Sequence, residues 1–498
     1  MAILRYSASA DTTITNAYRA DLKLRGTGSN MGYADSLEVF SIYGQTSGST
    51  GRSEELSRIL IDFPIARVIT DRAASTIPAS GSVSFYLRMF NAETPFTLPQ
   101  DFTLTVAPVS SSWSEGTGLD MDEYLDIGKA NWVSSSTTTA WDLLGADFLT
   151  ASNYNVTFPV GPEDMELDVS EIVERWIQSG NEFTNYGFGI HLTSSQEAYS
   201  STGNLTGSTD TYYTKKFFAR SSEYFFKRPV LEARWDSRVQ DDRENFFYSS
   251  SLAPAADNLN TLYLYNYVRG QLVNIPAVAT SDLSVSFYSS SAIGTPSGSK
   301  IELVVGGTTA AALDLNTTAS YVSAGLYSCS VALTAAATEL KGIHDVWHSG
   351  GVEFFTGSLY PEKFPTYESA PTFTRMTSCR NLKKLYSRKD KSRFRFFVRS
   401  RDWSPTLYTV ATANNPTEVV TSASYAIDRV IDNYAAIPYG TGSDLSTYLS
   451  YDKDGNYFDL DMSMLEPGYM YEIKLSYYND SIGDWQEQPQ TFKFRVDE

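Results

Sequence analysis

Apolar and polar positions alternate with a period of two along most of this chain. Val83, Phe85, Leu87 and Met89 alternate with Ser84, Tyr86 and Arg88, and Leu283, Val285 and Phe287 with Ser284 and Ser286. Near the C-terminus Tyr471, Ile473, Leu475 and Tyr477 alternate with Glu472, Lys474 and Ser476, and Phe492, Phe494 and Val496 with Lys493 and Arg495. Successive side chains of a strand point to opposite faces, so the pattern predicts antiparallel sheets with one buried and one wet face. A helical period stands out at Val169 to Gln178, where Val169, Ile172, Val173, Trp176 and Ile177 share one face. Asp168 is placed to cap this helix, Glu171 to complete a box-like arrangement, and Gly180 to end it.

The 498 residues are too many for one hydrophobic core. With 42% hydrophobic and 19% charged residues there is enough apolar surface to fold throughout, and the 33 Tyr and 27 Phe favour strands over long helices. The segment Asp236 to Leu259, charged at Asp241 to Asn245, reads as a linker after a strand ending at Trp235, and three prolines between Pro361 and Pro371 mark a second break. Three regions follow: 1–240, 255–365 and 370–498.

Charge and cysteine content narrow the function classes. A net charge of −19 argues against nucleic acid or anionic membranes as partners. Cys329 and Cys379 are too few for a disulfide scaffold and are expected to be reduced. Met1 to Ala10 holds no apolar run of signal-peptide length, and nothing downstream approaches about 18 consecutive apolar residues, so neither export nor membrane anchoring is expected.

Three blocks in the first region carry a resemblance. They are Trp113-Ser-Glu-Gly-Thr-Gly118, then Trp132 and Trp141 with Gly145, then Asp168 to Trp176 followed by Asn185-Tyr-Gly-Phe-Gly-Ile190; Arg228 to Trp235 looks like a closing strand. In order and spacing they resemble the disaggregatase-related, carbohydrate-binding-module-like β-sandwich domain. In the third region Leu465-Glu-Pro-Gly-Tyr-Met-Tyr471 resembles the corner before a late strand of immunoglobulin-like or fibronectin type III sandwiches, which makes Tyr471 structural, its hydroxyl tied to nearby backbone. The middle region has sandwich-like strands only. The expected fold class is all-β: an N-terminal jelly-roll-type β-sandwich with one short helix, then two immunoglobulin-like β-sandwich domains, the first and last regions read from these resemblances and the middle one from its length and strand periodicity.

A disaggregatase-related domain followed by immunoglobulin-like modules, with neither export signal nor disulfide framework, looks like the virion structural proteins of tailed bacteriophages, which host lysis releases. That resemblance implies a non-enzymatic part of the neck or collar, tail, baseplate or head decoration. Its partners would be other virion proteins and copies of itself. The alternative is a carbohydrate-binding adhesin contacting host surface glycans.

Candidate chemistry is sparse. The three histidines, His191, His344 and His348, fit no hydrolase, nucleotide-binding or metalloprotease motif, and His344 and His348 on a strand would stand about 13 Å apart. No catalytic residue, cofactor or metal is expected. Glu163, Asp164, Glu166 and Asp168 form the densest acidic cluster and read as a solvated helix N-terminus. Asp452 to Asp459 has oxygen ligands at alternating positions, but its glycine falls in the wrong place for a calcium loop, and a hairpin turning at Asp454-Gly455 explains it better. Between Arg375 and Arg401 lie 11 basic residues against the single acid Asp390. This is either a solvated strand face or an assembly contact made by Lys383, Lys384, Arg388, Lys389 and Lys391 on an acidic neighbour. For the tryptophans the scaffold role is set against a glycan contact at Trp113 and Trp132.

Overall fold

The computed structural model describes residues 2–498 except 20, 22, 48–50, 95–98, 121–125, 127, 179–182, 198, 201–204, 207–211, 251–252, 255, 290–295, 297, 302, 305–312, 315, 334–339, 341, 364–374, 405–416 and 480–482. Strands dominate, as the alternation predicts, and the protein is an all-β chain of several sheets. It divides into two compact units, Ile3–Trp235 and Asp236–Glu498. The expected break at Pro361 to Pro371 lies largely outside the described residues.

The first unit is a sandwich. Its smaller sheet has the order Ala2–Ser7, Val230–Trp235, Ser84–Met89, Met165–Asp168, so the unit's first and last strands are neighbours. Its larger sheet runs Tyr212–Phe218, Ser36–Ser47, Gly51–Asp62, Phe188–Leu192, Phe102–Pro108, Tyr154–Phe158, with Ala10–Thr15 also paired to Gly51–Asp62. Phe85, Leu87 and Met89 from one sheet meet Ile59, Ile61, Leu104, Val106 and Ile190 from the other in one core. Residues 55–61 of strand Gly51–Asp62 are buried on both faces: Leu56 and Leu60 point away from that core into a second cluster with Ile14, Trp132 and Trp141. A strand covered on both sides needs apolar residues at consecutive positions, as in Ile59-Leu60-Ile61.

The expected helix is present as Ser170–Ile177, with Ile172, Val173 and Trp176 buried. Asp168 does hold its start, accepting the Ser170 N–H at 2.9 Å, but the N-cap position is Val169, whose side chain makes no capping bond. The expected terminator Gly180 lies outside the described residues. A second helix, Ile65–Ala73, corrects the expectation of one. It begins directly after Pro64, buries Ile65 and Val68, and is joined to the first by Arg72, which grips Glu174 through two bonds of 2.6 Å. Its buried face is only Ile65 and Val68, with Ile69 42% exposed and no side-chain cap at Pro64, so less marks it in the sequence than marks Ser170–Ile177.

In the second unit an antiparallel sheet of order Asn260–Tyr265, Leu326–Val331, Thr317–Ser323, Leu283–Ser289, Ile343–Ser349, Val352–Leu359 folds over its own core. Thr317–Ser323 makes the bend, pairing Leu283–Ser289 through residues 317–319 and Leu326–Val331 through residues 320–323. The C-terminal part is a two-sheet sandwich with a separate core. One sheet is Arg375–Cys379, Lys391–Ser400, Gly455–Asp461, Ser450–Asp452; the other is Leu385–Ser387, Phe492–Asp497, Met470–Asn479, Ala423–Arg429, Tyr434–Ile437, with Asp484–Glu487 on Met470–Asn479. Its core is aromatic, with Tyr425 stacked on Phe458 at 3.8 Å and Phe394 between Phe458 and Phe494.

Residues 236–259 are not a loose linker. Phe246 and Tyr248 enter the core of the bent sheet, Gln240 bridges to Tyr451, and Phe247 bridges to Glu362. The charges at 241–245 are folded in as well: Arg243 holds the fully buried Asp345 through bonds of 2.8 and 2.7 Å, and Asp242 accepts from the Tyr451 hydroxyl at 2.7 Å. Polar composition suggested exposure, whereas pairing made burial affordable in free energy.

Tyr471 behaves as its corner predicts, its buried ring in the core and its hydroxyl donating to the Glu466 carbonyl at 2.9 Å. Tyr471→Phe should therefore cost about 1 kcal/mol, read as a lower urea midpoint at unchanged slope. An unchanged midpoint would remove the hydroxyl from the account.

Candidate functional site

The Trp113–Gly118 block is a latch within the first unit. Glu115 accepts the Asp11 N–H at 2.8 Å and clamps Arg220 through bonds of 2.7 and 2.5 Å. Asn30 Oδ1 accepts the N–H of Gly118 at 2.9 Å, and its amide donates to Asp126 at 3.1 Å; Asp126 also takes the Thr117 N–H at 2.7 Å. Burial works against the Asp126 charge, but these donors hold its carboxyl below the usual range. Both glycines are there for close approach. A Cβ on Gly116 would stand 2.0 Å from Asn30 Oδ1, and one on Gly118 1.9 Å from the Asn30 carbonyl.

The two tryptophans named as glycan contacts are placed otherwise. Trp132 is 3% exposed, packed on the outer face of the larger sheet with the Arg58 guanidinium 5.3 Å over its ring, so it presents no platform to a sugar. Arg58 is itself held by Glu197 at 3.0 and 2.8 Å and donates to the Gly145 carbonyl at 2.9 Å, so this motif is a buried ion pair under an aromatic lid. Trp113 is half-buried and donates its indole N–H to the Tyr186 carbonyl at 2.9 Å.

The acidic cluster is also corrected. Glu163 accepts the N–H groups of Val160 and Gly161, Asp164 that of Asn91, and Glu166 pairs with Arg234 at 2.9 Å; only Asp168 serves the helix. Nearby Lys215, which nothing in the sequence flagged, is 1% exposed and donates to Asn91, to the Gly161 carbonyl and to the Glu163 carbonyl at 2.7–2.8 Å. Burial pulls its ammonium down to about 8, with Glu163 and Asp164 opposing.

His344 and His348 lie on one strand. His344 is buried against the Gly357 carbonyl, and His348 Nε2 is 2.7 Å from Ser286 Oγ. Among the described residues no group of three or more His, Cys, Asp or Glu is arranged to hold a metal ion. Residues 452–459 form a hairpin as expected, but it turns at Lys453-Asp454, not Asp454-Gly455: Asp452 faces Gly455, the first residue of the next strand, whose φ of 107° suits glycine. Its carboxylates serve arginines: Asp452 takes Arg395 at 2.6 and 2.8 Å, and Asp459 takes Arg393 at 2.8 and 2.9 Å.

Those arginines belong to the basic stretch, which the structure divides in two. On Lys391–Ser400 the residues Phe394, Phe396 and Val398 point inward, while Arg393 and Arg395 form a cross-strand ladder with Asp459 and Asp452, both over the Tyr457 ring at 4.2 and 4.9 Å. Lys391 joins the ladder loosely, 3.6 Å from Asp461 and largely exposed. Lys383 and Lys384 flank Leu385–Ser387, the end strand of the other sheet, which pairs in parallel with Phe492–Asp497; both are exposed, as is Lys389, and Leu385 is 54% exposed between them. Arg388 is half-buried, with its backbone N–H on the Asp497 carbonyl. The exposed lysines thus stand at a sheet edge, where such charges both discourage indiscriminate strand addition and offer a complementary partner its contacts.

No family model matches the chain, and no curated protein does. Among solved structures, trypsin-activated alpha-2-macroglobulin from Escherichia coli aligns at 10% identity over 92% of this chain and 30% of that one, with a TM-score of 0.15. Salmonella alpha-2-macroglobulin reacted with methylamine aligns at 10% identity over 99% and 34%, also at 0.15. The chain spans about a third of the length of these proteins, and at that TM-score the likeness bears on neither fold nor activity.

Two tests follow from the latch and its buried charges. Gly116→Ala should destabilise the first unit by about 1–3 kcal/mol in chemical denaturation, since Asn30 has nowhere to retreat; a neutral substitution would mean that the loop gives way. Burial pushes the carboxyls of Asp11 and Asp241 up to about 7 against Arg220 and Arg243 respectively. Burial opposes ionised Glu232 too, but Arg88, Arg5 and Arg234 take it down to about 2. Raised carboxyls favour the folded state at low pH and lose that advantage as pH climbs through 7; the depressed one contributes above the ordinary carboxylate range and fails as pH falls towards 2. Thermal stability should therefore peak at about pH 4 and decline between about pH 4 and 7. A midpoint rising steadily from pH 5 to 8 would contradict this.

Proposed function

We propose that this chain is a structural component of a tailed-bacteriophage virion, acting through protein–protein contacts in a symmetric assembly and catalysing nothing. The observation that carries the reading is how its ionisable groups are engaged. The buried charges described above, Arg58 with Glu197, Arg243 with Asp345, Glu232 with three arginines and Lys215 with carbonyls, are closed into pairs and networks that hold strands and loops together. Catalytic groups are kept incompletely satisfied and facing a cleft. Outward, the protein offers rigid β surfaces with exposed aromatic and basic residues, the material of contact surfaces.

The other virion proteins and further copies of the chain are the partners in this reading, with Lys383, Lys384, Arg388, Lys389 and Lys391 as contact residues, in a neck, tail, baseplate or head-decoration position. The adhesin alternative loses its two named tryptophans to the interior and to a backbone bond. Reversal of Lys383, Lys384, Arg388 and Lys389 to Glu should abolish incorporation into particles while the circular dichroism spectrum stays that of the unaltered protein. Undiminished incorporation would remove these residues from the contact.

A further inference from the structure

The basic stretch continues past its internal ladder into a groove of about 370 Å³ lined by Arg375, Met376, Arg399, Arg401, Pro489 and Gln490. Its charge is unbalanced. Of its three arginines, Arg375 alone meets a carboxylate among the described residues, Glu418 at 2.6 Å. Arg399 directs its guanidinium to the backbone carbonyls of Ser400 and Trp403 at 3.2 and 3.4 Å, and the exposed Arg401 forms no ion pair or hydrogen bond among the described residues. Gln490 leaves its amide loosely engaged: the nitrogen meets only Met376 Sδ at 3.7 Å, and the buried oxygen finds no donor among the described residues. Three guanidiniums around one carboxylate, in a chain of net charge −19, make a local reversal of sign that attracts anions.

The groove's wall selects among anions. Among the described residues Arg375–Cys379 ends its sheet, paired on one side only, to Lys391–Ser400, with Met376 opposite Arg399 and 38% exposed. An unpaired strand edge accepts an extended chain by main-chain hydrogen bonding. Arg399 lies near the end of Lys391–Ser400 and Arg401 in the turn that follows it. Nucleic acid would bring a long polyanion against an acidic protein; a short acidic strand would not.

The geometry points to this groove as the docking site for an extended acidic segment of a partner protein, its carboxylates on Arg399 and Arg401 and its backbone along the open edge of Arg375–Cys379. The assignment concerns residues other than the lysines invoked above, and it is tested on the isolated full chain, so its failure leaves the virion reading to its own experiment. A fluorescein-labelled peptide of about ten residues alternating Glu and Thr, with a Lys–Thr peptide as control, would be titrated by anisotropy at about 50 and 300 mM salt. The Glu–Thr peptide should bind more weakly at the higher salt, and the Lys–Thr peptide should not bind. Arg399→Gln with Arg401→Gln, and Arg401→Glu alone at an exposed position where folding is not at stake, should weaken binding by about tenfold or more. Lys383→Gln with Lys384→Gln should leave it unchanged. Equal affinity in the Arg399 and Arg401 variants, absence of binding to the unaltered chain, or displacement of the peptide by equimolar inorganic phosphate would each overturn the proposal.

Discussion

Packing of alternate apolar side chains between facing β-layers is the interaction on which the remainder of this structure depends. Phe85, Leu87 and Met89 can meet Ile59, Ile61 and Val106 only because every second residue of each strand points inward, and a one-residue slip in register would turn each such set outward. The same constraint builds the aromatic core around Phe394, Phe458 and Tyr425 in the C-terminal sandwich. Once the inward positions are filled, the outward ones are free to vary, and there the protein differs from a plain scaffold.

Outward positions are used for pairing as well as for contact. The ladder of Arg393 and Arg395 with Asp459 and Asp452 ties three strands, and its exposed pair, Arg393 with Asp459, contributes little to stability, on the order of 0–1 kcal/mol. Their larger effect is to fix register and to consume local charge, so that the sign of the surface is decided by the residues left over: Lys383, Lys384 and Lys389 at one sheet edge, Arg399 and Arg401 at another. Charge balance, residue by residue, separates structural basic residues from those available to a partner.

Much of this was legible in the sequence, and its gaps have physical causes. Period-two alternation located the strands, the Ser170–Ile177 helix appeared through its apolar face, and Tyr471 and the 452–459 hairpin were read from local chemistry, though the turn falls one residue earlier than expected, at Lys453-Asp454. Ile65–Ala73 was missed because it buries only Ile65 and Val68 and starts at Pro64 without a side-chain cap, whereas Ser170–Ile177 buries three apolar residues on one face. Residues 236–259 were misread because polarity is a guide to exposure only when charges lack partners, and the partners of Arg243 and Asp242, Asp345 and Tyr451, lie far along the chain. Trp132 was offered to sugar for the same reason: a strand buried on both faces needs a second cover, and nothing local announces which segment supplies it. In the basic stretch the sequence showed the excess of charge but not its division, since Asp452 and Asp459 are brought in by a hairpin more than fifty residues on.

The central claim is that outer surfaces in an assembly, and no reactive cleft, are what this protein contributes. Quantitative mass spectrometry of purified phage particles tests it most directly. The account predicts the chain in the particle at a fixed whole-number ratio to a structural protein of known copy number, retained through purification. Its absence from intact particles, or a trace amount varying between preparations, would contradict the account.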